Sequence, residues 1–309
     1  MRKLTTIAVA ILAILALAIG PVAAQQNLTI GVAAIGLEHH WDITAFNSAV
    51  SKLKSMGVTV IGLDGERQTQ KHIANLETLL QMKPDAIIIV LGYSDIMDPV
   101  MAKIKDAGIP IITCDFPTPY SDCNVASSNQ QMGSMIAEKL AEDLGYEGNI
   151  VSFFRPGSPI AEARRAELQK VLDKYPGLKI VAEQPYITPG TVPDAMAKME
   201  SLLIANPRKG DIDAVWSLFD MPVIGAAMAV EAAGRAGQIG LYGIDGDPQA
   251  LDLIKRGVMT ATIMQSPDKI GEIAAESAVK LAQGESVPKE IMVDVTLITI
   301  DNVDQFIGK

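Results

Sequence analysis

The side chains best suited to chemistry cluster at short segments that each follow an apolar, β-branched run. They are His39-His40-Trp41-Asp42, Asp115-Phe116, Phe154-Arg155, Phe219-Asp220, Asp245-Gly246 and Gln265-Ser266-Pro267. In open α/β sheets a ligand sits beyond the carboxyl ends of the strands, so these segments are where a small molecule would be met. Asp115 and Asp245 are open to three readings. They accept hydrogen bonds from hydroxyl groups, they pose as an acid/base pair, or they form strand-end turns, where Asp is common. Glu38, His39, His40 and Asp42 invite a metal reading. Adjacent histidines in one loop rarely aim at one ion, and the only other histidine is His72, so no metal or other cofactor is expected. His39 then remains as a polar contact to a ligand.

An enzyme needs a nucleophile with its base, a metal set or a cofactor loop. After the first strand the chain reads Ala33-Ala34-Ile35-Gly36-Leu37, with no Gly-x-Gly-x-x-Gly; there is no phosphate-binding Gly-rich loop with Lys and no Gly-x-Ser-x-Gly. The reading is a binding protein rather than an enzyme.

The elements that must hold these residues follow one rhythm. Strands are predicted over residues 28–34, 58–63, 85–91, 110–114, 149–154, 179–183, 214–218, 240–244 and 260–264. Helices are predicted between them, over 42–56, 69–82, 94–107, 129–144, from Ser158 with Pro159 at its first turn, and over 192–204, 222–236, 248–256 and 268–283. In the first helix Ile43, Phe46, Val50 and Leu53 recur on one face. Ile87-Ile88-Ile89-Val90 reads as a strand buried on both faces. Strands alternating with helices imply right-handed βαβ units. About ten strands exceed one comfortable open sheet, so the fold class is α/β, with two doubly wound parallel-sheet lobes.

The first residues read as a leader. Met1-Arg2-Lys3 is basic, residues 7–19 are apolar, and Val22-Ala23-Ala24 suits a peptidase, which places the cut after Ala24 and the protein in the periplasm. The remaining 285 residues carry 24 basic and 36 acidic side chains, a net charge of -12. Such a chain repels phosphate backbones, so nucleic acid is not an expected partner. Cys114 and Cys123 are either a disulfide, as an oxidising compartment permits, or two unpaired buried thiols.

Three longer segments carry a resemblance. They are Gly108-Ile109-Pro110-Ile111-Ile112-Thr113-Cys114-Asp115, Gly243-Ile244-Asp245-Gly246-Asp247-Pro248, and the run from Thr260 through Gln265-Ser266-Pro267 to Gly271. In this order they resemble the type I periplasmic sugar-binding proteins, the solute receptors of ribose, galactose and xylose ABC importers, across essentially all of the chain after the leader. The resemblance implies two α/β lobes joined by three hinge strands, with the ligand between them. The crossings would lie near Ser128-Asn129, Gln265-Ser266 and Val293-Asp294. The N-terminal lobe would then hold residues 27–128 and 266–293, and the C-terminal lobe 129–265 and 294–309.

The resemblance also implies roles. Asp115 and Asp245 match the family's hydroxyl-accepting carboxylates, Arg164 its cleft arginine, and Gln265 its hinge amide; Trp41 falls where ribose receptors stack an aromatic on the sugar. Read without the resemblance, Arg164 is equally an exposed helix residue, Gln265 a partner for hinge backbone, and Trp41 a core aromatic. The departures are instructive. Phe116 stands where ribose receptors have arginine, Phe219 where they have asparagine, Asp42 replaces their second N-terminal aromatic, His39 an asparagine, and Thr188 a phenylalanine. Phe116 and Phe219 are either new aromatic walls or packing residues. A site that exchanges polar groups for aromatic surface changes its ligand, so a small sugar other than ribose, or a sugar alcohol, is expected. The implied partners are that ligand and an ABC permease, with the protein a monomer. A receptor of the same fold that presents a signal to a membrane kinase or chemoreceptor is the alternative. A sugar-responsive transcription regulator would need a DNA-binding helix pair where the leader stands.

Overall fold

The computed structural model describes residues 27–308, so the expected leader lies outside the described residues. In chain order the strands are β1 (Thr29–Ala34), β2 (Thr59–Asp64), β3 (Ala86–Val90), β4 (Ile111–Cys114), β5 (Cys123–Ala126), β6 (Gly148–Phe153), β7 (Leu178–Gln184), β8 (Ala214–Ser217), β9 (Gly240–Asp245), β10 (Ala261–Met264), β11 (Glu290–Met292) and β12 (Thr296–Ile298). The helices are α1 (His40–Ser55), α2 (Thr69–Met82), α3 (Ser94–Asp106), α4 (Asn129–Asp143), α5 (Pro159–Lys174), α6 (Thr191–Ala205), α7 (Asp220–Ala232), α8 (Pro248–Lys255) and α9 (Pro267–Ala282).

Two six-stranded sheets result, ordered β11-β5-β4-β3-β1-β2 and β12-β10-β9-β8-β6-β7. Each has its first strand inside, between the second and third, which is the doubly wound arrangement with a switch point. In the first sheet that point lies between β1 and β3, and in the second between β6 and β8. Every pairing is parallel except β10 with β12. Ala86 to Val90 are fully buried. Each such Ile or Val contributes about 1.5–3 kcal/mol of apolar burial, which is why a run without polar alternation becomes a central strand.

Three strands were not expected, namely β5, β11 and β12. With three or four residues apiece they are too short to show a period. Helix α7 also departs from expectation, beginning at Asp220 and ending at Ala232. Phe219 holds an extended backbone with φ -155°, and Gly234 stops the helix with φ 66°, its N–H donating to Glu231 O. Cys114 and Cys123 are both free thiols, buried on the neighbouring strands β4 and β5. Cys114 lies opposite Val125 and Cys123 opposite Ile112, so the two cysteines do not face each other in the ladder.

The chain passes between the sheets three times: after β5, after β10, and between β11 and β12. Helix α9 follows β10 yet packs with α1 in the core of the first sheet. Helix α4 follows β5 yet packs under the second.

Candidate ligand-binding cleft

A cavity of about 230 Å³ lies between the carboxyl ends of the two sheets. Seven of the eight side chains singled out from the sequence line it: His39, Trp41, Asp115, Arg164, Phe219, Asp245 and Gln265. Phe116 does not. Its ring is 4% exposed and belongs to the core beside β3 and β4, against Met97 and over Gly92. A Cβ on Gly92 would lie 2.7 Å from that ring, so the missing side chain is what lets Phe116 turn inward. Of the two readings for Phe116, the structure gives packing.

Backbone strain marks the strand ends. Leu91, Asp115 and Asp245 have φ of 58°, 50° and 132°, outside the usual range of residues with a Cβ. Each of the three lines the cavity and follows or ends one of β3, β4 and β9. Strain of this kind costs on the order of 1–3 kcal/mol per residue and persists where the surrounding structure enforces it. At Asp115 the enforcement includes its N–H, which donates to Val125 O at 2.9 Å.

Arg164 comes from α5, capped by the Ser158 hydroxyl accepting from Ala161 N. Its guanidinium is almost fully buried. Nε donates to Asn129 Oδ1 at 2.8 Å, and Nη1 to Leu218 O at 2.6 Å and to Asp245 Oδ1 at 3.4 Å. The same Asp245 oxygen accepts from Gln265 Nε2 at 2.8 Å. Among the described residues, Asp115 Oδ1 and Gln265 Oε1 are buried acceptors without a partner, and Trp41 Nε1 is a buried donor without one. Burial, with the Asp245 charge adding to it, pushes the Asp115 carboxyl up to about 6, against the opposing pull of Arg164. Burial also raises Asp245, and burial with the Asp245 charge raises Asp247 to about 7. Asp220 lies behind this row and accepts from Thr262 Oγ1 at 2.7 Å and Asp247 N at 2.9 Å.

The apolar walls meet across the cleft. His39 stacks on Phe219 with centroids 6.1 Å apart, Tyr186 meets Phe219 edge-on at 4.9 Å, and Arg155 lies 5.0 Å over the Tyr186 ring. Tyr186, Arg155, Asp42, Arg67 and Tyr93 also line the cavity. The aromatic at this wall is thus Tyr186, two residues before Thr188, which lines the cavity as well. Arg67 pairs with the Asp42 carboxylate, and its Nη2 lies 2.9 Å from His39 Nδ1. Burial and the Arg67 charge hold His39 down to about 4, so its ring is neutral and Nδ1 accepts.

The family model for the periplasmic binding protein domain matches residues 30–286. The chain belongs to the periplasmic binding protein family. As a member of that family it is a solute-binding protein of the periplasm. Among solved structures, an ABC transporter solute binding protein from Agrobacterium vitis with bound allitol is 34% identical, with TM-score 0.86 over 91% of this chain and 98% of that one. An ABC sugar transporter subunit from Rhodobacter sphaeroides is also 34% identical, with TM-score 0.85 over 90% of this chain and all of that one. The ribose import binding protein of Haemophilus influenzae is 28% identical over 302 residues, 97% of this chain and 100% of its own length.

Proposed function

We propose that this family member captures a small neutral sugar or sugar alcohol for an ABC importer, gripping it between the lobes by hinge closure. The observation that carries the ligand class is the pairing state of the cleft. Arg164 is matched by Asp245, and Arg67 by Asp42, while Asp115 Oδ1 and Gln265 Oε1 remain as partnerless acceptors. Acceptors without partners suit hydroxyl donors, and Arg164 and Arg67 are each already met by a carboxylate of the cleft. The aromatic faces of Trp41, Tyr186 and Phe219 suit the C–H faces of a carbohydrate. The volume is also small, below the roughly 300 Å³ at which sites for drug-sized ligands begin.

The lobes divide at the three crossings, so that residues 27–128 with 266–293 move against residues 129–265 with 294–309. Asp115 and Arg164 then serve one ligand only when the lobes meet, and ligand contacts favour the closed form by their differential affinity. The closed protein delivers its cargo to the membrane permease as a monomer, after export by a leader cut at Ala24.

Tryptophan fluorescence of refolded, ligand-free protein tests the ligand class, against aldoses, alditols of four to six carbons, and inositols. The chain has two tryptophans, and Trp216 is fully buried in the second lobe, so Trp41 is the reporter. The expected result is a saturable micromolar response that Trp41→Phe abolishes while calorimetry still detects binding. A refolded protein that ignores the whole panel overturns the carbohydrate reading.

A further inference from the structure

Arg67 was not among the residues that the sequence pointed to, yet its surroundings are built around it. It sits in the turn from β2 to α2, where Glu66 and Arg67 have φ of 49° and 55°. Two successive left-handed residues with side chains are sparsely populated and need enforcement. Enforcement comes from the Arg67 N–H, which donates to Ile35 O at 2.8 Å. Gly36 leaves room for that approach, since a Cβ there would lie 2.7 Å from Arg67 Cγ and 2.8 Å from its backbone nitrogen. The result is an arginine side chain 14% exposed, lining the cleft.

Its donors are unequally used. Nη2 serves both the Asp42 carboxylate and His39 Nδ1. Nε is buried and has no partner among the described residues. A guanidinium never loses its proton in a protein, so this N–H is a permanent donor. Asp42 balances the charge, so what Arg67 offers is a directed donor rather than an uncompensated cation.

Its place in the sheet gives the donor a meaning. Asp115 follows β4 and Arg67 follows β2, and the order β4-β3-β1-β2 separates them by three strand spacings, about 14 Å at the backbone. The two residues therefore flank the first-sheet wall of the cleft at opposite ends. Asp115, Asp245, Gln265 and Arg164 gather at one end, and Arg67 stands at the other.

We propose that Arg67 is a specificity-determining residue whose guanidinium donates to an oxygen at the far end of the ligand, so that the cleft measures ligand length and orientation. This rests on the sugar or sugar alcohol reading above. A ligand long enough to reach both ends is held by both; one carbon shorter, it keeps the Asp115 end and forfeits Arg67.

The test measures dissociation constants by calorimetry for erythritol, xylitol and allitol and for the aldoses of four to six carbons. The proteins are wild type, Arg67→Lys, and the double variant Arg67→Met with Asp42→Asn. Lysine keeps a charge for Asp42 without the fixed fork of guanidinium donors, and the double variant removes the buried pair together. Circular dichroism confirms the fold of each. The expected result is a loss of at least tenfold for the longest wild-type ligand and less than threefold for its one-carbon-shorter homologue, in both variants. Equal losses across the panel, or none, overturn the role of Arg67 while leaving the sugar reading intact. If wild type binds no member of the panel, the sugar reading and this role fall together.

Discussion

His39 and Phe219 stack with ring centroids 6.1 Å apart and planes 26° from parallel, although one precedes α1 beside the first sheet and the other caps α7 beside the second. The pair exists only while the lobes are together. An aromatic pair of this kind is worth about 0.5–1.5 kcal/mol beyond its buried area. Phe219→Ala is therefore expected to weaken ligand binding about two- to tenfold, through faster release rather than slower capture. Stopped-flow fluorescence on Trp41 separates the two rates. An unchanged release rate would mean that the stack does not contribute to holding the closed form.

Asp115, as the proposed acceptor, would link binding to pH. Burial raises its folded pKa to about 6, above the 3.8 of a free side chain. A raised carboxylate destabilises the fold when ionised, so this contribution eases as pH falls through 6 and vanishes below about 4. Asp115→Asn should consequently stabilise the ligand-free protein at pH 8, by on the order of 3 kcal/mol, with the advantage fading towards pH 4. Asn also tolerates the left-handed backbone at this position. Binding should run the other way. With the ionised carboxylate as the proposed acceptor, wild-type affinity is expected to fall as pH drops from 7.5 to 5, and Asp115→Asn to bind weakly with a shallower pH profile. Urea titrations and calorimetry at matched pH values check both. A variant less stable at pH 8 would contradict the account.

Legibility in the sequence tracked the length and composition of each element. Ile87 to Val90 and the 3.6-residue period of α1 announce themselves, because burial selects β-branched runs and one-sided helices. The cleft residues after β1, β4, β8, β9 and β10 followed from the rule that ligands meet strand ends. The same rule applied to the edge strands would have reached two of those that were missed. Arg67 lies three residues past the end of β2 and Tyr186 two past the end of β7, each the outermost strand of its sheet. What the chain text lacks is the strand order that swings these edge loops over the cleft. Phe116 and Phe219 look alike as aromatics at strand ends and end in opposite places. Gly92, distant in sequence, decides the first, and His39 in the other lobe meets the second.

Helix α9 must return across the hinge and lie tightly on α1, and Gly271 is the point of contact. A Cβ there would lie 2.2 Å from Ala45 O, a rigid backbone atom. Gly271→Ala forces the helices apart and should cost about 1–3 kcal/mol, as overpacking does. For a lobe of this size that lowers Tm by roughly 2–4 °C per kcal/mol. Differential scanning calorimetry reads the loss. A Tm equal to or above wild type would mean that the crossing relaxes freely.

The proposed role of Arg164 joins stability to binding, and the two can be separated. Its guanidinium serves Asn129, Leu218 O and Asp245 from a buried position. Arg164→Met leaves Asp245 buried without its cation and is expected to cost about 3–5 kcal/mol of stability, along with ligand binding. Adding Asp245→Asn removes the stranded charge while Gln265 still has an amide oxygen to meet. The double variant should recover at least half of the lost stability in urea denaturation. It should nevertheless bind ligand at least 100-fold more weakly than wild type, because neither the donor fork nor the carboxylate acceptor is left for a hydroxyl. Recovery of binding together with stability would make Arg164 and Asp245 a structural pair alone, and would shift the recognition of ligand hydroxyls to Asp115 and Gln265.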